Sequence, residues 1–371
     1  MAPTADAKAL DDLIASTQAL LTQFTTSLSN SSSINDNENA PTTPPPAPIV
    51  NPPNPLRVFA DASTLLKAHV TKLSLLTINA PFTPSAVTKV LRDLASTCLP
   101  ALISAVQICQ QQERATWGAL LGREAALRAR RVFVEMQTLL REVQSVATGA
   151  STGVGGNRDS LSATGVVWEA CDALAELEGL GVAGLAVRKA EEWRDTIRDA
   201  IEELQEWAEG EDLESEGRDD DALLDSGDEG VGGDEEGSLD EMFNAANSLP
   251  ADRPELKALV GRAVEKLKKV EILYRALGKR RLKAFKSVEA ADGRRSGVEY
   301  LDEIVANLKA LPDKVDDLAS TFYDLDEEAV EEALADCVDK ARETAKLARL
   351  DYDGKEDEFS RWSEKWIEAV S

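Results

Sequence analysis

Apolar residues recur every three or four positions along most of this chain, and that spacing predicts α-helices. Residues Ala5 to Leu28 carry one stripe made of Leu10, Leu13, Ile14, Thr17, Leu21, Phe24 and Leu28. A second helix runs from Leu56 to Leu76, with Val58, Phe59, Ala62, Leu66, Val70 and Leu73 inward. Thr83-Pro84 reads as a helix start, a capping hydroxyl followed by proline at the first helical position. Val87, Leu91, Leu94 and Cys98 follow. Pro100 is expected to kink or break this helix, because it lacks an N–H and clashes with the preceding turn. Leu102, Ile103, Val106 and Cys109 resume the pattern. Glu113 to Val146 predicts a long helix whose buried side holds Trp117, Leu120, Leu121, Leu127, Phe133, Met136, Leu140 and Val143.

The least generic run is Thr164 to Leu174. Ser162 and Thr164 read as caps for a helix start, since a hydroxyl accepts from the first-turn N–H groups. Val167, Cys171, Leu174 and Leu177 then fall at helical spacing, and with Trp168 beside them they point to one core. Gly181 and Gly184 make a turn before a helix over Leu185 to Glu209, with Ala190, Trp193, Ile197, Ile201, Leu204 and Trp207 inward. Pro254 opens a very long helix to about Ala291, bent at Gly278. Gly297 to Leu311 is a helix that Pro312 interrupts, after which Val315, Leu318, Phe322 and Tyr323 pack a shorter segment. Asp326 caps the helix bearing Val330, Leu334, Cys337, Ala341 and Ala345. After a turn at Asp351 to Gly354, the last helix sets Trp362 and Trp366 four apart, either buried or forming an exposed apolar patch.

Two composition breaks divide these helices. Ser27 to Pro55 is rich in Ser, Asn, Thr and Pro and reads as a tether, with polyproline II docking at Pro44-Pro45-Pro46 as the other reading. Glu209 to Glu241 contains sixteen Asp or Glu and a single Arg218, and a run of this kind repels itself and stays extended. The resulting expectation is an all-α chain of two bundles of long antiparallel amphipathic helices joined by an acidic linker. Its parts are an N-terminal helix at 1–28, a linker at 29–55, a bundle at 56–209, the acidic linker at 210–238 and a second bundle at 239–371.

Charge narrows the function. Lys plus Arg number 41 and Asp plus Glu 67, a net charge of −26. That disfavours direct nucleic-acid binding and anionic membrane surfaces and suits basic protein partners. The start lacks a signal-peptide pattern, and no apolar run reaches the roughly 20 residues of a spanning helix. Cys98, Cys109, Cys171 and Cys337 form no CxxC pair and read as buried thiols of a reducing compartment, so cytoplasm or nucleus is expected. The one histidine, His69, has no Cys cluster near it and reads as packed or half-exposed. The Gly153-Val154-Gly155-Gly156 run lacks the Gly-Lys-Ser/Thr and the strand of a phosphate loop. With no converging acid, base or nucleophile, no catalytic, cofactor-binding or metal-ligating residue is assigned and no cofactor is expected.

Arg123, Arg128, Arg130 and Arg131 read as a solvated face with ion pairs to neighbours such as Glu124 and Glu135, with a binding patch as the other reading. Lys279-Arg280-Arg281, with Lys283 and Lys286, reads as a solvated helix face, a nuclear-import signal or a site for an acidic partner. Ser226, set among acids, reads as a target of acid-directed kinases or as an unmodified linker residue. The run Thr164 to Leu177, the two helical halves and the acidic connection at 209–241 together resemble the cyclin-D-binding family, the Grap2 and cyclin-D-interacting proteins, over about residues 56–371. The resemblance implies a helix-loop-helix-like protein without a basic region. It implies no enzymatic activity, partners of the cyclin or helix-loop-helix type, and restraint of transcription and cell-cycle progression. It transfers no individual functional residue. The competing reading is a cytoskeletal or vesicle-associated bundle of the vinculin or talin type.

Overall fold

The computed structural model describes residues 5–33, 52–112, 114–149, 156–209, 249–250, 252–287 and 296–371. Among these residues the chain is all α-helix, without a strand. Nine helices follow in order: α1 (Ala5–Ser33), α2 (Pro55–Ile78), α3 (Pro84–Gln107), α4 (Arg114–Ala147), α5 (Gly156–Glu209), α6 (Pro254–Leu277), α7 (Gly297–Tyr323), α8 (Glu327–Leu347) and α9 (Glu358–Val370). Single π-turns extend α3 over Ile108–Gln112 and α6 over Gly278–Leu282. The readings placed on Pro44 to Pro46, the acidic stretch and Ser226 lie outside the described residues.

The chain divides into two compact units, residues 1–186 with 289–302, and residues 187–288 with 303–371. The boundary between the units in the first half of the chain falls inside α5, close to its bend at Gly181.

In the first unit the helices close a five-membered ring. Helix α1 lies antiparallel to α4, joined by Gln144 to Asp11, Gln137 to Thr22 and Arg130 to Ser29. Helix α4 is tied to α5, α5 to α2, and α3 packs between α2 and α1. The apolar stripes meet inside: Leu10, Ile14 and Leu21 of α1, Phe59 and Leu66 of α2, Leu91 and Leu94 of α3, and Phe133 and Met136 of α4 are all fully buried. Each such side chain contributes roughly 1.5–3 kcal/mol of burial.

Gly118 breaks α4 near its start, with φ 79° and ψ 167°, a region open to glycine alone. The helix that restarts there is capped from far along the chain. The Asp302 carboxylate accepts from the Ala119 N–H at 2.6 Å and from the Leu120 N–H at 3.1 Å, placing a negative charge at a helix N-terminus. A Cβ on residue 118 would stand 2.9 Å from Val298 Cγ1 and 3.1 Å from the Asp302 oxygens. Gly118→Ala should therefore cost about 1–3 kcal/mol through the φ restriction alone, with the displaced cap adding to it. Urea unfolding of the variant measures this, and an unchanged midpoint would show that the bend is not required.

In the second unit Leu256, Leu267 and Leu273 of α6, Ile304 and Leu308 of α7, and Val330 and Cys337 of α8 are all fully buried. Trp207 is buried against Phe322 and edge-on to Tyr323, at centroid distances of 6.2 and 5.5 Å. The α6 helix ends at Leu277, well short of the expected Ala291, because Gly278 begins the π-turn and the chain leaves the helix after it. Both internal prolines are carried within continuous helices, so Pro100 does not break α3 and Pro312 does not interrupt α7. For Pro312 the reason is visible. Its missing N–H orphans the Leu308 carbonyl, and the buried Tyr274 hydroxyl donates to that carbonyl at 2.6 Å.

Candidate interaction surface

The Thr164-to-Leu177 run lies inside α5, which begins at Gly156, so neither Ser162 nor Thr164 caps the helix. Thr164 is buried instead, its hydroxyl bonded to the buried Ser74 hydroxyl of α2. Val167, Ala170, Cys171, Leu174 and Leu177 fill the inward arc, as the periodicity predicts. Burial pushes the Cys171 thiol up to about 12, which leaves it a packing group without nucleophilic character at neutral pH. The same burial raises Cys337 to about 12. All four thiols are buried and none forms a disulfide.

Trp168 is a correction. It was expected in the core with Cys171 and the leucines, and it is 37% exposed. One residue advances a helix by about 100°, which carries the indole past the edge of the inward arc. Trp168 sits four residues after Thr164 and four before Asp172, and both of those bond to α2. Asp172 receives Lys67 Nζ at 2.6 and 2.7 Å. The indole thus lies along the α2–α5 seam between two cross-helix ties, where it is held but open. Trp168→Ala should cost only about 1–2 kcal/mol, below the ~3–5 kcal/mol of a fully buried tryptophan. Thermal unfolding checks this, and a loss at the buried level would return Trp168 to the core.

The α4 arginines do more than solvate a face. Arg128 Nε reaches Glu124 at 2.7 Å, and its Nη1 donates to the Ala173 carbonyl and pairs with Glu176 at 3.3 Å, both on α5. Arg131 reaches Glu169 of α5 at 3.0 Å. The pairing with Glu124 is as expected; the further partners are on the neighbouring helix, which spacing along one helix does not reveal. Leu127, expected on the buried side, is 61% exposed, because Ala125, Ala126 and Ala129 take the inward positions there. Val134, two turns on, is 37% exposed.

In the second unit the basic cluster is also corrected. Among the described residues Arg281 is the largest fully buried side chain. It forks onto Asp357 at 2.8 and 3.0 Å, donates to the carbonyls of Ala348 and Arg349 at 2.7 and 2.9 Å, and stands 4.5 Å over the Phe359 ring. Arg280 pairs with Glu358 and Lys286 with Asp353 on the surface. The cluster is a clasp between the end of α6 and the start of α9, and Arg281 is not available to a reader of extended basic peptides. Of the two last tryptophans, Trp366 is buried and donates to the Lys269 carbonyl at 2.9 Å, while Trp362 is half-buried and stacks on it.

His69 is half-exposed on α2. No group of three or more His, Cys, Asp or Glu is placed to hold a metal ion among the described residues. None of the described helices is long and apolar enough to cross a membrane. What the surface offers is open apolar side chains, Trp168 in a seam and Leu127 with Val134 on an outer ridge, framed by charged residues.

An uncharacterised protein of Schizosaccharomyces pombe is 26% identical over 315 residues, covering 85% of this chain and 84% of that protein. The sequence model described as "Grap2 and cyclin-D-interacting, N-terminal" matches residues 59–210, from the first turn of α2 past the end of α5. Over residues 59–210 the chain is thus similar to the N-terminal domain of the Grap2 and cyclin-D-interacting family.

Proposed function

We propose that this protein is a non-enzymatic helical adaptor that acts by occupying partner proteins, cyclins of the D type or helix-loop-helix regulators, and so restrains cell-cycle progression or transcription. The observation that carries this reading is the family match over 59–210, whose description names interaction with cyclin D. The open apolar side chains of the same region support it, because helix recognition by a groove or ridge depends on apolar anchors. The acidic stretch adds steering toward basic partner surfaces and acts chiefly on association rate, since exposed charges are screened beyond about 8 Å at physiological salt. We place its action in both cytoplasm and nucleus.

The test is a binding assay with purified cyclins and helix-loop-helix proteins of the same organism. It compares the full chain with a version lacking 211–238, at low and high salt. Binding should persist without the stretch, with a slower association. Loss of all binding on deletion, or none to either class with the intact chain, contradicts the proposal. Co-sedimentation of the intact chain with actin filaments would instead support the vinculin or talin type of function.

A further inference from the structure

We propose that the outer ridge of α4 is a docking surface for an acidic amphipathic helix of a partner protein. This rests on the adaptor reading above and names the partner's chemistry.

The ridge is made of Arg123, Leu127, Arg130, Arg131, Val134 and Arg141, all exposed. Leu127 and Val134 are seven residues apart, so they align on one line separated by roughly 10 Å. The arginines frame them over roughly 27 Å of helix. In a chain of net charge −26, these two open aliphatic side chains are framed by four arginines, of which only Arg131 is ion-paired with another described residue. One exposed leucine is ordinary on any surface; two in register inside a basic frame are not explained by chance exposure.

The arginines keep donors to offer. Arg130 uses its Nε on Ser29 at 3.1 Å and Arg131 one Nη on Glu169 at 3.0 Å, whereas a guanidinium carries five N–H donors. Arg123 and Arg141 form no ion pair with another described residue. Arg128 offsets one of the two flanking charges of Glu124 and Glu176, and Glu169 pairs with Arg131, so the positive excess of the frame rests on Arg123, Arg130 and Arg141.

The complementary occupant follows from the pattern. It has aliphatic residues two turns apart on one face, which cover Leu127 and Val134. It has Asp or Glu on both flanks, which the guanidinium forks take bidentately. A nucleic acid fits less well, because phosphates would leave the two aliphatic side chains uncovered and the whole chain repels polyanions.

The experiment uses the full chain and a labelled synthetic helix of roughly 18 residues, with leucines along one face and glutamates on the flanks. Its controls are a scrambled peptide and a duplex DNA of matching length, with binding followed by fluorescence anisotropy. The helical peptide should bind saturably, and the scrambled one about tenfold more weakly or worse. Leu127→Ser with Val134→Ser, and separately Arg123→Glu with Arg141→Glu, should each weaken binding by about tenfold. Arg123→Ala with Arg141→Ala, which adds no new charge, should weaken it less and preserve the melting temperature. Equal binding by the variants, no binding by the intact chain, or DNA displacing the peptide from the ridge would overturn the proposal. Cyclin binding by the intact chain without peptide binding removes the ridge and leaves the adaptor reading. Peptide binding at the ridge without either partner class does the reverse.

Discussion

Arg281→Ala should remove about 3–5 kcal/mol from the second unit, read as a fall in its urea midpoint. Breaking a buried, hydrogen-bonded charge pair from one side leaves its partners unsatisfied. Here those partners are the Asp357 carboxylate, the carbonyls of Ala348 and Arg349, and the face of Phe359. Arg281→Lys should recover only part of the loss, because an ammonium cannot fork onto Asp357 and reach two carbonyls as well. The same clasp sets an acid response. The hydrogen bonds from Arg281 hold the Asp357 carboxyl well below the usual carboxylate range. A depressed folded-state value means that the unfolded chain takes the proton first. The stabilisation is therefore complete above the ordinary aspartate value of about 3.9 and is lost as pH falls below it. Asp357→Asn should lower stability at neutral pH and flatten the slope of stability against pH in acid. An unchanged acid slope would remove Asp357 from this role.

Trp366→Ala should cost about 3–5 kcal/mol in the same unit, from lost indole burial and the cavity it leaves. The side chain is nearly enclosed, its Nε1–H donates to the Lys269 carbonyl, and its ring lies 6.2 Å from Trp362 with an interplanar angle of 27°. Trp366→Phe should cost less, since much of the ring contact survives and the indole hydrogen bond does not. Thermal melts of the two variants, set beside Trp168→Ala, give the ranking Trp366→Ala, Trp366→Phe, Trp168→Ala in order of decreasing loss. The reverse order would show that the burial of these two tryptophans is exchanged.

The contrast between these tryptophans shows how far a stripe can be read. Periodicity placed Val167, Cys171 and Leu174 correctly because an inward arc is set by spacing along one helix. It could not place Trp168, which stands at the arc's edge, where the neighbouring helix decides between burial and exposure. Leu127 failed for a related reason: three alanines fill the inward positions on that turn, and composition gives alanine little weight. Pro312 was expected to interrupt the helix because the lone N–H deficit is a local fact, whereas the Tyr274 hydroxyl that offsets it comes from another helix. Asp302, 183 residues from the backbone it caps, and Arg281, clasped to a carboxylate 76 residues on, are of the same kind. Local chemistry wrote the helices and the family tag into the sequence; the long-range polar ties and the open ridge arise only when the helices pack.

The proposed function requires the protein to work by stoichiometric occupancy of a partner. Titration calorimetry of the purified full chain against the D-type cyclin of its own organism tests it most directly. The account predicts a saturable heat change with a single stoichiometric complex, retained in large part at high salt because apolar anchors carry the affinity. Absence of a complex with that cyclin, together with absence of one with helix-loop-helix proteins in the same assay, would contradict it.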